Sequence, residues 1–366
     1  MRAIVTSSAP SALTSSTPTH GPRAQPPDDK IVWRPTPLRA LELAEIPSDL
    51  HFVRDHFPAP ECRPWSLEIT ASRRCLESPS VELGLERLRG LPQRTLRVVL
   101  ECAGHRRVEF ERLSTGLPWA AGAVAEARWT GPSLRSVLDL VGIPTDAREV
   151  VLEGADSGPV EGVDGIHHFA RGLPLAKALD PDVLLACEMN GQPIPHERGG
   201  PVRAVVPGWY ATDSVKWLRR IWFADREFDG FFQAQDYRFR LPDEHGAGQR
   251  MTELPVHALI TTAGTDAQAA TGHLSIRGIA WGGTGGIADV LVRVDDGPWA
   301  RAHLGRIRGS HARVSWEAHR TVAPGPHRIA CRAIDGTGRT QPDRPLANVQ
   351  GYGNNAIHRV TITAGR

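Results

Sequence analysis

From Ile31 to about Tyr237, apolar runs of strand length are interspersed with stretches of helical spacing, a mixed pattern of the α+β kind. Ser66–Thr70 and Leu96–Leu100 read as strands. Ser133 stands in a capping position ahead of Leu134, Val137, Leu138 and Val141 on one helical face, and Leu173–Leu179 reads as a second short helix. Leu184–Met189 runs into Asn190-Gly191 and leaves through Gln192–Ile194, which predicts a tight hairpin. Beyond about Met251 the helical spacing disappears. Val290, Val292 and Val294 alternate with Leu291, Arg293 and Asp295 before Asp296-Gly297, and Ile329, Cys331 and Ala333 alternate with Arg328, Arg332 and Ile334 before Asp335-Gly336. Val360 and Ile362 repeat the pattern, so this part reads as an all-β sandwich. The expected organisation is a disordered tail over 1–30, a mixed α/β domain over 31–248 and the sandwich over 249–366, with the boundary in the polar stretch Leu241–Gln249.

Length agrees: 366 residues hold two domains at roughly 100 to 200 residues each. With 40% hydrophobic and 23% charged residues the chain reads as soluble and globular. A formal charge of +2 leaves too weak a field for a general nucleic-acid or membrane-surface binder, so any bound anion is held locally. Lysine occurs only at 30, 177 and 216, so a lysine inside a motif is not explained by abundance. Five scattered cysteines form no C-x-x-C pair and suit a reducing compartment. The N-terminus shows no export signal, and no run approaches the roughly 18 apolar residues of a membrane span. A cytoplasmic protein is the expectation.

The sharpest local feature is Glu101-Cys102-Ala103-Gly104-His105-Arg106-Arg107, directly after an apolar strand. Two neighbouring arginines stabilise a thiolate, so the Cys102 pKa is expected to fall. The sulfur then suits a nucleophile or a soft-metal ligand, against the alternative of a small core residue. Cys62, Cys75, Cys187 and Cys331 read as core residues. Trp281-Gly282-Gly283-Thr284-Gly285-Gly286 precedes no helix and reads as a hairpin or bulge rather than a dinucleotide loop.

Residues 102–107 resemble the C-A-G-N-R-R motif of the sulfite oxidase family of molybdenum enzymes. Phe52-Val53-Arg54-Asp55-His56 is similar to its F-x-R-N-H, Ala127-Arg128-Trp129-Thr130-Gly131 to its A-R-W-x-G, and Leu184 to Gly191 to its L-L-A-Y-E-M-N-G. Pro201-Val202-Arg203, Val206-Pro207-Gly208, Val215-Lys216-Trp217-Leu218, Asp236-Tyr237, Gln341-Pro342 and Asn355 to Val360 follow in the family's order. Together they span about residues 50 to 362.

The resemblance implies a molybdenum-cofactor domain followed by an immunoglobulin-like dimerisation domain, hence a homodimer. The metal would be held by the dithiolene of a pyranopterin (molybdopterin) and by the Cys102 thiolate. Arg54, His56, Asp156, Arg198, Arg203, Ser214 and Lys216 stand at cofactor-binding positions, and Arg107, Trp119, Tyr237 and Arg54 at catalytic ones. The core alternative stays open for Tyr237 and Trp119, and solvated surface charge for Arg203 and Lys216. The implied reaction is oxidation of a small oxyanion, sulfite to sulfate, by oxygen-atom transfer, with electrons leaving to an external acceptor such as a cytochrome or oxygen. Three departures bear on the substrate: His105 replaces the motif's asparagine, Thr115 a lysine and Gln350 an arginine. The last two remove cations from a substrate anion, which keeps a molybdenum-dependent reductase of a sulfoxide, nitrate or other oxyanion as one alternative. A cofactor-free binding or assembly protein on the same scaffold is another.

Overall fold

The structure, a computed structural model, describes residues 31–71, 80–111, 116–262 and 273–364. The expected tail over 1–30, Cys75 and Thr115 lie outside the described residues.

The protein is rich in sheet. The strands Ser80–Gly84, Ser66–Thr70, Leu218–Ala224, Glu149–Val160 and Val163–Pro174 form one five-stranded sheet in that order. Only the pair of Leu218–Ala224 with Ser66–Thr70 is parallel. A four-stranded antiparallel sheet runs from Gln192–Pro193 through Glu188–Met189 and Val124–Pro132 to Gln93–Glu101. Beyond the strand-free stretch 241–248, two further antiparallel four-stranded sheets enclose a core of their own that includes Val290, Val292, Trp316, Cys331 and Ala333.

The helices are shorter than their spacing predicts. Ser133 caps a helix by accepting from the Ser136 amide at 3.1 Å, but the helix ends at Leu138, and the second covers Leu175–Ala178. Val141 and Leu179 fall in the turns that follow these helices and Leu173 in a strand, so the balance lies further toward sheet than the α+β pattern implied. The hairpin forms as read: Asn190 (φ 55°) and Gly191 (φ 78°) both adopt the left-handed conformation that a two-residue turn of this hand requires. The glycine run 282–286 overturns its reading as a hairpin. Its flanking strands, His273–Trp281 and Ile287–Val294, belong to different sheets, so it carries the chain from one layer to the other. There it packs against Gly208, where a Cβ would approach the Gly283 carbonyl to 2.7 Å.

The C-terminal sheets dock directly on the first part of the chain. Arg313 donates to the Leu41 carbonyl at 2.7 Å and the Leu43 carbonyl at 2.5 Å, and its amide reaches Glu126 at 2.8 Å. The strand Gln93–Glu101 thus ends at this junction, with Cys102 the first residue past it.

Candidate active site

The backbone fixes Cys102 before its side chain is considered. Its amide donates to the Ala123 carbonyl at 2.9 Å and its carbonyl accepts from the His105 amide at 2.9 Å, which curls the chain into a tight loop. Arg106 closes that loop in the left-handed conformation (φ 58°). Its guanidinium turns outward, donating to Glu109 at 2.8 and 2.5 Å and to the Ala356 carbonyl at 2.6 Å. His105 also leaves the cavity side and packs edge-on against Trp281 (5.9 Å) and His257 (6.1 Å).

Arg107 is buried between segments. It donates to the carbonyls of Leu117 (2.9 Å), Gln350 (3.1 Å) and Gly351 (3.3 Å), and its guanidinium lies 4.9 Å from the Tyr352 ring centre. The expectation of a lowered thiol pKa is therefore overturned. Burial raises the Cys102 pKa above that of a free thiol, against a smaller pull from the Gly104 amide, Arg107 and Arg54. Local sequence gave the two arginines but not the loss of water from the sulfur, nor that Arg106 faces away.

The Cys102 side chain lines a partly open cavity of about 60 Å³, together with Arg54, His56, Asp156, Arg198, Arg203, Ser214, Lys216 and Tyr237. Arg107 and Trp119 do not line it. Trp119 lies in the core, edge-on to Trp33 (5.2 Å) and Phe52 (6.4 Å). Among the other cysteines, Cys187 and Cys331 are buried as expected, whereas Cys62 is exposed, contrary to its reading as a core residue.

Four cations dominate the wall. Arg203 is 6% exposed, donates to the carbonyls of Arg198 and Ser214 at 2.8 Å each, and lies over the Trp129 ring at 5.1 Å. Arg198 donates to the carbonyls of Ser48 (2.8 Å) and Asp49 (2.7 Å), which leaves Nη1 3.1 Å from Glu197 without an aligned hydrogen bond. Lys216 pairs with the buried Asp55, whose carbonyl accepts from Arg54. Ser214 Oγ accepts from the Val206 amide at 3.0 Å, so its own proton remains free to donate.

Two polar atoms here lack hydrogen-bond partners among the described residues, Asp156 Oδ1 and His51 Nε2, while Arg198 Nη1 has only its ion-pair contact with Glu197. Burial raises the Asp156 pKa to about 7 against the opposing pull of Lys216, and burial with Arg203 and Arg198 lowers His51 to about 3. Unsatisfied buried donors and acceptors beside four cations fit a polar ligand with an anionic end. A molybdopterin, with its ring donors and acceptors, its phosphate and a metal seeking a soft sulfur, meets that demand.

Tyr237 closes the cavity. Its hydroxyl is 2.6 Å from His56 Nε2, and the imidazole stacks on Phe169 at 4.4 Å. Burial, reinforced by Arg54, Lys216 and Arg171, holds His56 well below the usual histidine range, so the ring is neutral and shares one hydrogen bond with the phenol in which either group can be the donor. Burial likewise pushes the phenol up, which keeps it protonated.

Sequence reasoning passed over Asp55, Asp236, His51, Phe169 and Tyr352. The first two sit inside motifs already quoted. Tyr352, an aromatic between two glycines and two residues after Gln350, carried a signal in its spacing alone. His51 and Phe169 carried none, because only the fold brings them to the cavity.

Residues 56–232 match the family model described as oxidoreductase molybdopterin binding domain, and residues 249–365 that of the Mo-co oxidoreductase dimerisation domain. The chain is 34% identical over 339 residues to the sulfite oxidase of Gallus gallus, an alignment covering 86% of this chain and 72% of that one. It is 33% identical over 353 residues to the mitochondrial sulfite oxidase of Rattus norvegicus, covering 90% of this chain but 63% of the rat protein's length. Its fold resembles that of the sulfane dehydrogenase SoxCD of Paracoccus pantotrophus, with a TM-score of 0.79 over 97% of this chain and 95% of that one at 24% identity.

Proposed function

This chain belongs to the sulfite oxidase family of molybdopterin oxidoreductases, and from that premise we propose that it oxidises sulfite to sulfate and passes two electrons to an external acceptor. The observation that carries this reading is one cavity joining the Cys102 thiol to four cations and to buried polar atoms that have no hydrogen-bond partner among the described residues. Its cofactor, molybdenum held by molybdopterin, supplies the oxygen-atom transfer and takes up the two electrons.

The chain's own residues bind, orient and exclude water. Cys102 would supply the one protein sulfur to the metal. Arg198, Arg203 and Lys216 would hold the anionic end of the pterin, with Ser214, His56 and Asp156 bonding its polar edge. Arg54, two residues before His56 and lining the same cavity as Tyr237, would orient the substrate oxyanion. Tyr237 would donate a hydrogen bond to the reacting oxygen and, through His56, move the proton that water releases. Arg107 and Trp119 enter from behind the wall, the first by fixing the cysteine loop and the second by packing on Phe52. Gln350 replaces a cation of the family and leaves its buried Oε1 without a partner among the described residues, which supports weaker sulfite binding than in family members that keep the arginine.

Two finer points belong to the same proposal. The two facing C-terminal sheets support an immunoglobulin-like sandwich, and the match to a dimerisation domain supports a homodimer. A cytoplasmic setting is supported by the four described cysteines, all unpaired.

The test is Cys102→Ser. Molybdenum content and sulfite oxidation with ferricyanide should fall more than about a hundredfold, beyond the loss typical of outer-shell changes, with circular dichroism unchanged. Normal turnover by this variant would overturn the reading. Reduction of sulfoxide or nitrate by the wild type with a reduced viologen, without sulfite oxidation, would reverse the direction of the reaction.

A further inference from the structure

Apart from Gln350, the catalytic reading assigns the C-terminal part nothing beyond dimer formation, yet one of its loops packs against Tyr237 from behind the cavity wall. Tyr352 is 7% exposed, and its ring stacks on that of Tyr237 with centres 5.3 Å apart and planes 19° from parallel. Its hydroxyl donates to Asp236 Oδ1 at 3.0 Å, the carboxylate immediately before Tyr237. Arg107 lies 4.9 Å from the same ring. Tyr352 thus touches the two residues that flank the cysteine site from opposite ends of the first domain's sequence.

The loop that carries it is built to hold it still. Asn348 grips the Tyr352 peptide from both sides, accepting from its amide at 2.9 Å and donating to its carbonyl at 2.8 Å. Gly351 (φ 62°) and Gly353 (φ 67°) supply the left-handed turns on either flank, and the Gly353 amide donates to the Ala103 carbonyl at 2.8 Å, one residue past Cys102. A core aromatic needs burial alone. Tyr352 adds a hydrogen bond to a named carboxylate, an offset stack on a tyrosine that lines the cavity, and a cation over its ring.

We propose that Tyr352 is a positioning residue for the active-site phenol: by stacking on Tyr237 and bonding Asp236 it fixes the Tyr237 hydroxyl at His56 and the cavity. The C-terminal part thereby braces the catalytic pocket from behind its wall. This rests on the reading of Tyr237 as the hydrogen-bonding, proton-moving group. Without the stack the Tyr237 ring keeps, among the described residues, the ring contacts with His56 (5.6 Å) and Arg171 (5.6 Å), and its hydroxyl samples more than one direction.

The chain contains three tyrosines, so carbon-13 labelling at tyrosine Cζ gives a spectrum with one signal each for Tyr210, Tyr237 and Tyr352. Wild type, Tyr352→Phe and Tyr352→Leu are compared, as cofactor-free protein for the spectra and as holoenzyme for kinetics. Tyr352→Phe keeps the stack and loses the bond to Asp236; the Tyr237 signal should stay near its place while kcat falls about fivefold. Tyr352→Leu should move the Tyr237 signal and lower kcat about tenfold to a hundredfold with KM for sulfite within about twofold. An unmoved Tyr237 signal in Tyr352→Leu overturns the proposal, as does a moved signal with unchanged kcat, or a rise in KM alone. A wild type inert toward sulfite would instead sink the functional reading, while the spectra still report whether Tyr352 holds Tyr237.

Discussion

Two buried polar regions lie on either side of the cysteine loop, and they treat charge in opposite ways. Cys102 faces the cavity with Arg54, Arg198, Arg203 and Lys216. Its neighbour Glu101 points into the seam with the C-terminal sheets, as successive residues at the end of a strand must. There Trp281 Nε1 donates to Glu101 Oε2 at 2.7 Å, and His257 Nε2 lies 3.3 Å from the other oxygen. His257 stacks on Trp281 with centres 4.9 Å apart and planes 2° from parallel. Burial raises the Glu101 pKa to about 8 and drives His105 and His257 well below the usual histidine range. The seam is polar but close to neutral. The cavity keeps its cations: Asp55 and Glu197 offset Lys216 and Arg198, while Arg54 and Arg203, held by backbone carbonyls, leave positive charge for an anionic ligand to match.

If that contrast is right, removing a cavity cation should hurt in a way that a neutral swap repairs only in part. Lys216→Met leaves the Asp55 carboxylate, 1% exposed at its side chain, without its lysine. Breaking a buried pair from one side costs about 3–5 kcal/mol, so the melting temperature should fall sharply and cofactor content with it. Adding Asp55→Asn should restore most of the thermal stability without restoring molybdenum. Recovery of both in the double variant would mean that Lys216 serves the fold and not the ligand.

The seam tests the other half. Trp281→Phe keeps an aromatic ring against His257 but removes the donor to Glu101. A buried oxygen left unsatisfied costs about 1–3 kcal/mol, read by denaturant unfolding, while cofactor content should hold. A loss of molybdenum in this variant, at unchanged stability, would show that the two regions are one.

The cavity was the more legible of the two in the sequence, for a physical reason. Arg54 and Arg203 sit at the ends of short strands, Cys102 directly after the strand Gln93–Glu101 and Lys216 two residues before Leu218–Ala224, each inside a short motif, so resemblance to the family's motifs singles them out without knowledge of the fold. The Asn190-Gly191 hairpin was likewise readable locally, since two left-handed residues in a row leave few choices. The seam had no such signature. His105 and His257 stand far apart in sequence, and nothing near either one shows that they meet. The direction of the Cys102 pKa, the outward turn of Arg106 and the layer-crossing glycine run depend on burial and on which sheet a strand joins. Local pattern does not encode either. Tyr352 lies between: the glycines around it marked a turn, but its partner 115 residues earlier could not be read from the turn.

The mildest test of the contrast is acidity. His257 and His358 are both held neutral by burial and by Arg106, His358 down to about 3, whereas in the unfolded chain each takes up a proton near pH 6.5. Below that pH the unfolded state binds protons that the folded seam refuses, so their contribution is intact above about pH 6.5 and is lost as pH falls. Each such histidine adds a slope of about 1.4 kcal/mol per pH unit. Glu101 works in the opposite sense: with its folded pKa near 8 it is stabilising when protonated and offsets one histidine between about pH 4.5 and the histidine range. Denaturant unfolding between about pH 5 and pH 6.5 should therefore show stability falling toward acid, and His257→Phe should flatten that slope by about one proton. An unchanged slope in the variant would mean that His257 is already charged in the folded protein, and that the seam, like the cavity, carries charge.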